Sequence, residues 1–190
     1  MGIGTIVTLA VIAVLVVWAI MLYNNLVNLK HAVSKAWSNI DVLLKQRHDE
    51  LPKLVETCKQ YKQFEQDTLQ RVTEARSRVQ DARLKQDIPA LGQAETMLRA
   101  GLGNIFAVVE AYPELKTIEA FQHLLGRISG LENAIADRRE FYNDSVNINN
   151  VRIEQFPDVM IAKLFGFGSF DLLRIAEAQK KDVDVKMLFA

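Results

Sequence analysis

The chain opens with an apolar run and continues with apolar residues spaced at helical intervals. Thr5–Leu22 is almost entirely apolar, and residues 3–23 carry no charge. This is the length at which an α-helix crosses the hydrocarbon core of a bilayer. A helix that is apolar on every face suits lipid better than the interior of a small domain. The pattern therefore predicts a transmembrane helix rather than a buried helix of a soluble protein.

A cleaved signal peptide is the alternative interpretation of this run, and the residues around it argue against that. The first Lys or Arg is Lys30, so a basic n-region is missing, and the run is not followed by a small-x-small cleavage motif. Met1-Gly2 begins like a myristoylation signal, but Ile6 stands where that motif requires Ser or Thr. We therefore expect a retained anchor.

Basic residues flank the apolar run on one side only. Lys30 and Lys35 follow it, and no Lys or Arg precedes it. The positive-inside rule then predicts an external N-terminus and a cytoplasmic body, attached to the cell (inner) membrane by a single pass. The residues predicted to lie at the membrane interface are Trp18, Tyr23, Asn24 and Lys30.

Beyond the run, apolar residues recur at steps of three and four, as on one face of a long helix. Arg47 is a polar intrusion in this seam. The pattern keeps its phase across Pro52, so we expect a kink there rather than a reversal, and a helix that ends near Leu84. The seam consists of Leu22, Leu26, Leu29, Val33, Trp37, Ile40, Leu44, Leu51, Leu54, Cys58 and Tyr61.

Two more long helices are predicted. Asp87 is a typical N-cap with Pro89 in the first turn, and that helix ends near Tyr112 because a proline follows. Thr117 is the expected cap of the next helix, which continues to about Gln155. Its seam consists of Phe121, Leu124, Ile128, Leu131, Ile135, Arg138, Tyr142, Val146, Asn149, Ile153 and Phe156.

The C-terminal part has a different pattern. Asp158–Phe165 can form a short amphipathic helix, and a glycine turn with three phenylalanines, Phe165–Phe170, follows it. Asp171–Lys181 is again predicted to be helical. Residues 183–190 have a mixed pattern and are predicted to be extended or frayed.

The predicted fold class is all-α, with an N-terminal transmembrane helix that continues into an antiparallel bundle of long, four-helix-like or coiled-coil helices. The predicted domains are an anchor (1–23), the bundle (24–157) and a C-terminal part of short helices and the Phe/Gly-rich turn (158–190). If one helix spans Tyr23–Leu84, it reaches roughly 90 Å from the membrane. Phe165–Phe170 would then lie far from the bilayer.

Composition narrows the class of protein. The chain has 23 basic and 23 acidic residues, and this balance argues against a nucleic-acid interface. Cys58 is the single cysteine, so an internal disulfide framework is excluded. Nearly half of the residues, 49%, are hydrophobic, which is enough for one packed domain beside the anchor.

Several segments together resemble the bacterial LemA family, in the right order over residues 20–170. The resemblance implies an N-terminal anchor with a short external tail and an antiparallel helical bundle. It implies no reaction and no catalytic residues, and residues 171–190 lie outside the pattern. The segments are YNNLV from Tyr23, AWSNIDV from Ala36, LPKLVET from Leu51, EAYPELK from Glu110, EN at Glu132, ADRR from Ala136, FYN from Phe141, FP at Phe156 and LFGF from Leu164.

Catalytic and cofactor motifs do not stand out. None of the three histidines follows a Glu by three residues, so the Glu-x-x-His pattern of di-iron bundles is missing. Glu119 and His123 lie one turn apart but have no second pair. Gly101 and Gly103 lie inside a predicted helix, where close helix packing explains them better than a dinucleotide loop. We therefore expect no enzyme activity, no metal and no cofactor.

Two groups of residues are candidate interaction sites. Charged and amide side chains near the helix seams are interpreted either as a solvated face or as a buried network that fixes helix register. Three phenylalanines on the glycine turn either plug the end of the bundle or form an assembly surface. The network candidates are Glu56, Glu132, Asn133 and Arg138, and the assembly candidates are Phe165, Phe167 and Phe170.

These features favour a membrane-anchored scaffold that self-associates into a homo-oligomer, because the chain has long apolar seams and no recognisable site. An adaptor that binds another protein, through the bundle groove or the Phe-rich turn, is the alternative. An enzyme with a site that the sequence does not reveal is the third hypothesis. The expected partners are the lipid bilayer and further copies of the chain, or another protein in the adaptor alternative.

Overall fold

The computed structural model describes residues 2–176, apart from the side chains of residues 116 and 120. Regular structure in this part is helical throughout, which confirms the prediction of an all-α fold with a long N-terminal helix. A short 3₁₀ helix, Pro113–Thr117, joins the third and fourth helices. The helices are α1 (Ile3–Lys59), α2 (Gln66–Lys85), α3 (Ile88–Ala111), α4 (Glu119–Glu154) and α5 (Asp158–Phe165).

Helix α1 contains Pro52 without reversing, as predicted, but it ends at Lys59 and not near Leu84. A turn follows, in which the backbone N–H of Tyr61 donates to the carbonyl of Cys58 at 3.0 Å. Beyond the turn α2 lies back along α1, since Arg76 Nε donates to the His48 carbonyl at 3.0 Å. The prediction of one helix to Leu84 was therefore wrong.

The chain forms two compact units, and α1 and α4 each contribute to both. Of the described residues, the first unit contains 2–44 and 131–172, which include the start of α1, most of α4 and all of α5. The second contains residues 45–130 and 173–176, which include the end of α1, α2, α3 and the start of α4.

In the second unit α2 and α3 form a closely packed antiparallel pair. A Cβ atom added to Gly101 of α3 would lie 2.7 Å from Val72 Cγ2 of α2, so only glycine permits this approach. The expectation of close packing is confirmed at Gly101, whereas a Cβ added to Gly103 would meet no atom within 4 Å. Helix α3 buries Leu91, Leu98 and Ile105 at intervals of seven residues.

In the first unit the start of α1 packs antiparallel to α4 and α5. The rings of Trp37 and Tyr142 lie 6.0 Å apart, and those of Tyr23 and Phe165 lie 4.8 Å apart. The prediction that Phe165–Phe170 lies far from the membrane was therefore wrong, because Tyr23 directly follows the apolar run. This prediction assumed that the first helix extends to Leu84, whereas the turn at residues 60–65 ends it at Lys59.

Of the two predicted caps, one is observed and one is not, and one predicted helix is absent from the described residues. The Asp87 carboxylate accepts from the backbone N–H of Ala90 at 3.0 Å, as expected of an N-cap. Thr117 does not cap α4, because α4 begins at Glu119 and its N-cap position is Ile118, while the Thr117 hydroxyl donates to the carbonyl of Glu114 at 2.7 Å. Residues 171–176 are not helical, so the predicted helix Asp171–Lys181 is wrong there, and its remainder lies outside the described residues.

The first part of α1 is long and apolar enough to cross a membrane. Its most apolar stretch of 18 residues has a mean hydropathy of 2.8, and none of that stretch is buried by the rest of the chain. Exposed apolar surface of this extent is unfavourable in water. Helix α1 therefore associates the protein with a membrane.

Candidate functional site

A charge pair is buried in the core of the second unit. Arg47 of α1 donates through Nη2 to Oε1 of Glu95 on α3, and both side chains are 0% exposed. Full burial of an ion pair removes both charges from water at a large cost in free energy. The pair is therefore a specific structural element and not an incidental surface contact.

Each member of the pair occupies a position that an apolar residue would take in its helix. Arg47 lies seven residues after Ile40 and seven before Leu54, and both neighbours are fully buried. Glu95 lies seven residues before Leu102, which is also buried. Polar residues at such positions fix the register and the partner of a helix at some expense of stability. We infer that the Arg47–Glu95 pair holds α1 and α3 in one register.

The sequence revealed only half of this pair. Arg47 stands out as the polar residue in the α1 seam, whereas Glu95 was not singled out. The seven-residue spacing from Glu95 to Leu102 and on to Val109 is the signal that could have identified it.

A second polar contact lies one residue along α1. Arg76 Nη2 lies 2.7 Å from His48 Nε2, and because arginine can only donate, His48 must accept at this nitrogen. Burial of the imidazole, with the positive charge of Arg76, lowers the pKa of His48 from its usual 6.5, while Asp49 opposes the shift. The contact is therefore made by neutral His48.

We expect this contact to make stability depend on pH. Because the pKa of His48 is lower in the folded chain, its contribution to stability is complete above pH 6.5 and is lost as the pH falls through the folded-state value. His48→Gln keeps a hydrogen-bond acceptor that does not titrate. The melting temperature of the unmodified protein should fall more steeply below pH 6.5 than that of the variant. Parallel curves for the two proteins would contradict this.

A third cluster surrounds Glu50, which is buried at the edge of the second unit. Its Oε1 lies 3.1 Å from Arg127 Nε of α4, and its Oε2 lies 3.2 Å from Lys53 Nζ. Glu50 is thus held between two half-exposed cations. This arrangement links the end of α1 to the start of α4 by charge.

The turn between α1 and α2 carries an open pocket of about 670 Å³. Val55, Phe64 and Leu69 give it an apolar floor, and Lys59 and Lys62 lie among its lining residues. Lys59 also lies 3.4 Å from Glu56. An apolar floor with cations beside it suits a partner that combines apolar and acidic groups.

In the first unit, polar side chains of α4 bind the segment after α5. The Asn150 amide donates to the Phe170 carbonyl at 2.9 Å and accepts from the Phe170 N–H at 3.0 Å. The Tyr142 hydroxyl donates to the Asp171 carbonyl at 3.0 Å. Burial, with the charge of Asp171, raises the pKa of Tyr142 to about 12, so this donor keeps its proton. Residues 168–171 are therefore fastened to α4.

The same segment continues in the second unit against α3. A Cβ added to Gly92 would lie 2.1 Å from the Arg174 carbonyl oxygen, so the backbone there passes directly over the glycine. The backbone N–H of Ala176 donates to the Thr96 hydroxyl at 3.1 Å, and Leu173 and Ile175 are buried. This packing explains why residues 173–176 are not helical.

The residues predicted to form a buried polar network do not do so in the chain. Glu56, Asn133 and Arg138 are exposed and Glu132 is half-buried. These exposures fit the other interpretation of these residues, a solvated face, because the buried face of α4 follows Ile135 and Tyr142, seven residues apart, and leaves Arg138 outside it.

The residues predicted to lie at the membrane interface and those of the predicted assembly surface belong to the first unit. Trp18, Tyr23, Asn24 and Lys30 are exposed on α1. Phe165 is exposed, and Phe167 and Phe170 are half-buried. Phe167 also packs against Tyr23, with the two ring centroids 5.7 Å apart.

The single cysteine is not available for thiol chemistry. Cys58 is buried, and burial raises the pKa of its thiol to about 12, which suppresses the reactive thiolate. Within residues 2–176, no group of three or more His, Cys, Asp or Glu side chains is placed to hold a metal ion.

Comparison with known proteins identifies relatives along most of the chain. Residues 36–187 match the sequence model of the LemA family, so the expectation that the family pattern ends at residue 170 was wrong. Two proteins of Paramagnetospirillum magneticum, magnetosome protein MamQ 1 and magnetosome protein MamQ 2, are each 26% identical over 217 residues, with 100% of this chain and 80% of each relative covered. Protein LemA of Metamycoplasma hominis is 24% identical over 165 residues, with 87% of this chain and 74% of the relative covered.

Proposed function

Because this chain belongs to the LemA family and associates with a membrane through α1, we propose that it is a non-enzymatic scaffold whose copies assemble through their helices. The anchor crosses the cell membrane once, with the N-terminus outside and the helical body on the cytoplasmic face. Trp18, Tyr23, Asn24 and Lys30 lie at the membrane interface. The assembly displays the helical body as a platform beside the bilayer.

One observation supports self-assembly most directly. Phe141, Ile148 and Val151 are exposed apolar residues of α4. Their spacing of seven and three residues places them on one helix face. Apolar residues at such spacing are typical of a seam that packs against another helix. We assign this face, here called the α4 outer face, to contact between copies.

The mass of the detergent-extracted particle tests the proposal. Native mass spectrometry should give a discrete multiple of the chain mass of 21.5 kDa. The double variant Phe141→Ser/Ile148→Ser should shift the particle to smaller species, because it removes apolar contact area from the α4 outer face. Asn147→Ser, at an exposed polar position between them, is the matched control and should leave the mass unchanged. A monomer from the unmodified protein would refute assembly.

The pocket at the α1–α2 turn supports an adaptor as the second candidate function. Its apolar floor and its two lysines, Lys59 and Lys62, suit an acidic amphipathic segment of another protein. Lys62→Glu should then abolish capture of a stoichiometric partner from the membrane fraction while leaving the particle mass unchanged. A partner retained equally by the variant would exclude the pocket as its binding site.

A further inference from the structure

Helix α5 exposes a row of large apolar side chains. Met160 is 63% exposed and Leu164 74%, four residues apart on the helix, and Phe156, 79% exposed, precedes them in the turn before the helix. Residues four apart lie on the same helix face. We propose that this row, here called the α5 apolar face, is a second membrane contact that inserts into the boundary between lipid headgroups and acyl chains.

The position of α5 along α1 supports contact with lipid. The ring of Phe165, the last residue of α5, lies 4.8 Å from the ring of Tyr23. Tyr23 is the residue after the apolar run Thr5–Leu22. If that run fills the hydrocarbon core, Tyr23 lies at the level of the headgroups. Helix α5 is therefore held beside the membrane surface.

The two sides of α5 differ as those of an interfacial helix do. Asp158 and Ala162 are buried against the first unit, opposite the α5 apolar face. Asp158 accepts from Arg152 Nε at 3.0 Å, so its charge is satisfied on the protein side. A helix with a charged, protein-bound side and a bare apolar side is suited to lie in the plane of the interface.

Hydrogen bonds fix the orientation of this face. Gly166 ends α5 with φ 71°, and the Phe167 N–H donates to the Ala162 carbonyl at 2.9 Å. The paired hydrogen bonds of Asn150 to the Phe170 backbone then fasten the turn to α4. An eight-residue helix alone would bind lipid weakly, but the anchor keeps α5 at the surface, where its effective concentration is high.

The side chain chemistry favours lipid over a second copy as the occupant. Lys163 is exposed beside Leu164. The centres of protein interfaces are depleted of charged residues. At a bilayer surface, a lysine lays its aliphatic stem along the apolar region while its ammonium group reaches the headgroups.

A lipid-sensitive fluorophore tests the proposal in the full chain. Leu164→Cys and Met160→Cys, each in a Cys58→Ala background, are labelled with NBD and placed in nanodiscs that carry one copy each. We expect blue-shifted emission at both positions, with loss of intensity when the lipids carry bromine high on the acyl chains. Asp137→Cys, exposed on α4 and roughly 25 Å along the helix from its end, is the control and should show water-like emission without quenching.

Two results would overturn the proposal. Water-like emission without quenching at both α5 positions would show that α5 lies outside the lipid. Blue-shifted emission without bromolipid quenching would show that protein covers the face. Circular dichroism and the melting temperature of each labelled variant verify that the fold is retained, and having two label positions guards against failure of one. With one copy per disc, the result does not depend on self-assembly, whose failure the particle mass would reveal separately.

Discussion

Glu95→Ala is expected to lower the free energy of unfolding by about 3–5 kcal/mol, the cost of removing one partner from a buried ion pair. The substitution leaves the guanidinium of Arg47 in a fully buried position without the carboxylate that it faces. A denaturant titration of the detergent-solubilised protein, followed by circular dichroism, measures the change.

Two variants distinguish the effect of the buried pair on stability from that of an exposed charge. Glu56→Ala removes a carboxylate that is largely exposed and lies 3.4 Å from Lys59, so the stability should barely change. The double variant Arg47→Met/Glu95→Leu fills the same space with apolar atoms and should recover most of the stability. If Glu95→Ala were as stable as Glu56→Ala, the structural role of the pair would be refuted.

The double variant also distinguishes stability from specificity. An apolar replacement can give the same free energy of unfolding as the ion pair. It nevertheless removes the charges that specify how α1 aligns with α3. If the pair fixes the register, Arg47→Met/Glu95→Leu should show broader denaturation and faster amide exchange in α3 than the unmodified protein. Sharp denaturation and unchanged exchange would show that apolar packing alone determines the register.

Phe121→Ala is expected to cost about 3–5 kcal/mol, the usual effect of deleting a buried aromatic ring. Phe121 is fully buried near the start of α4. Its ring centroid lies 6.2 Å from that of Tyr61 and 6.0 Å from that of Phe64, both in the turn between α1 and α2. The variant therefore leaves a cavity at the turn that the sequence did not predict. The same denaturant titration measures the loss.

Phe141→Ala is the matched control, since it removes the same ring from an exposed position of the same helix. We expect its free energy of unfolding to stay within about 0.5 kcal/mol of the unmodified value when measured on dissociated chains. Equal losses from both variants would show that Phe121 has no special role in holding the turn. A small loss at Phe121 with a large loss at Phe141 would contradict the assignment of core and surface.

The turn at residues 60–65 could not be predicted from the local sequence. Reversals of the chain direction are usually marked by glycine or proline, and this segment contains neither. The nearby proline, Pro52, lies within α1. The helical spacing of apolar residues therefore predicted one helix that continues through the turn. The packing of Tyr61 and Phe64 on Phe121, which is distant in sequence, stabilises the turn instead.

The sequence alone determined the features that depend on neighbouring residues. The unbroken apolar run defined the membrane helix, the Asp87 cap defined the start of α3, and Pro157 preceded the predicted and observed α5. Local geometry and the sum of side chain hydropathies decide these features, so they can be read from short segments.

Only the tertiary structure decided which charges are buried and where the phenylalanine turn lies. Arg47 became a core residue because Glu95 of another helix meets it, whereas Arg138, at a similar step of its own seam, stayed exposed. Phe165 reached Tyr23 because α1 ends at Lys59 and α4 runs back along it. Periodicity shows which face of a helix is apolar, but the partner that covers that face, and the free energy of burying a charge there, depend on residues far away in the chain.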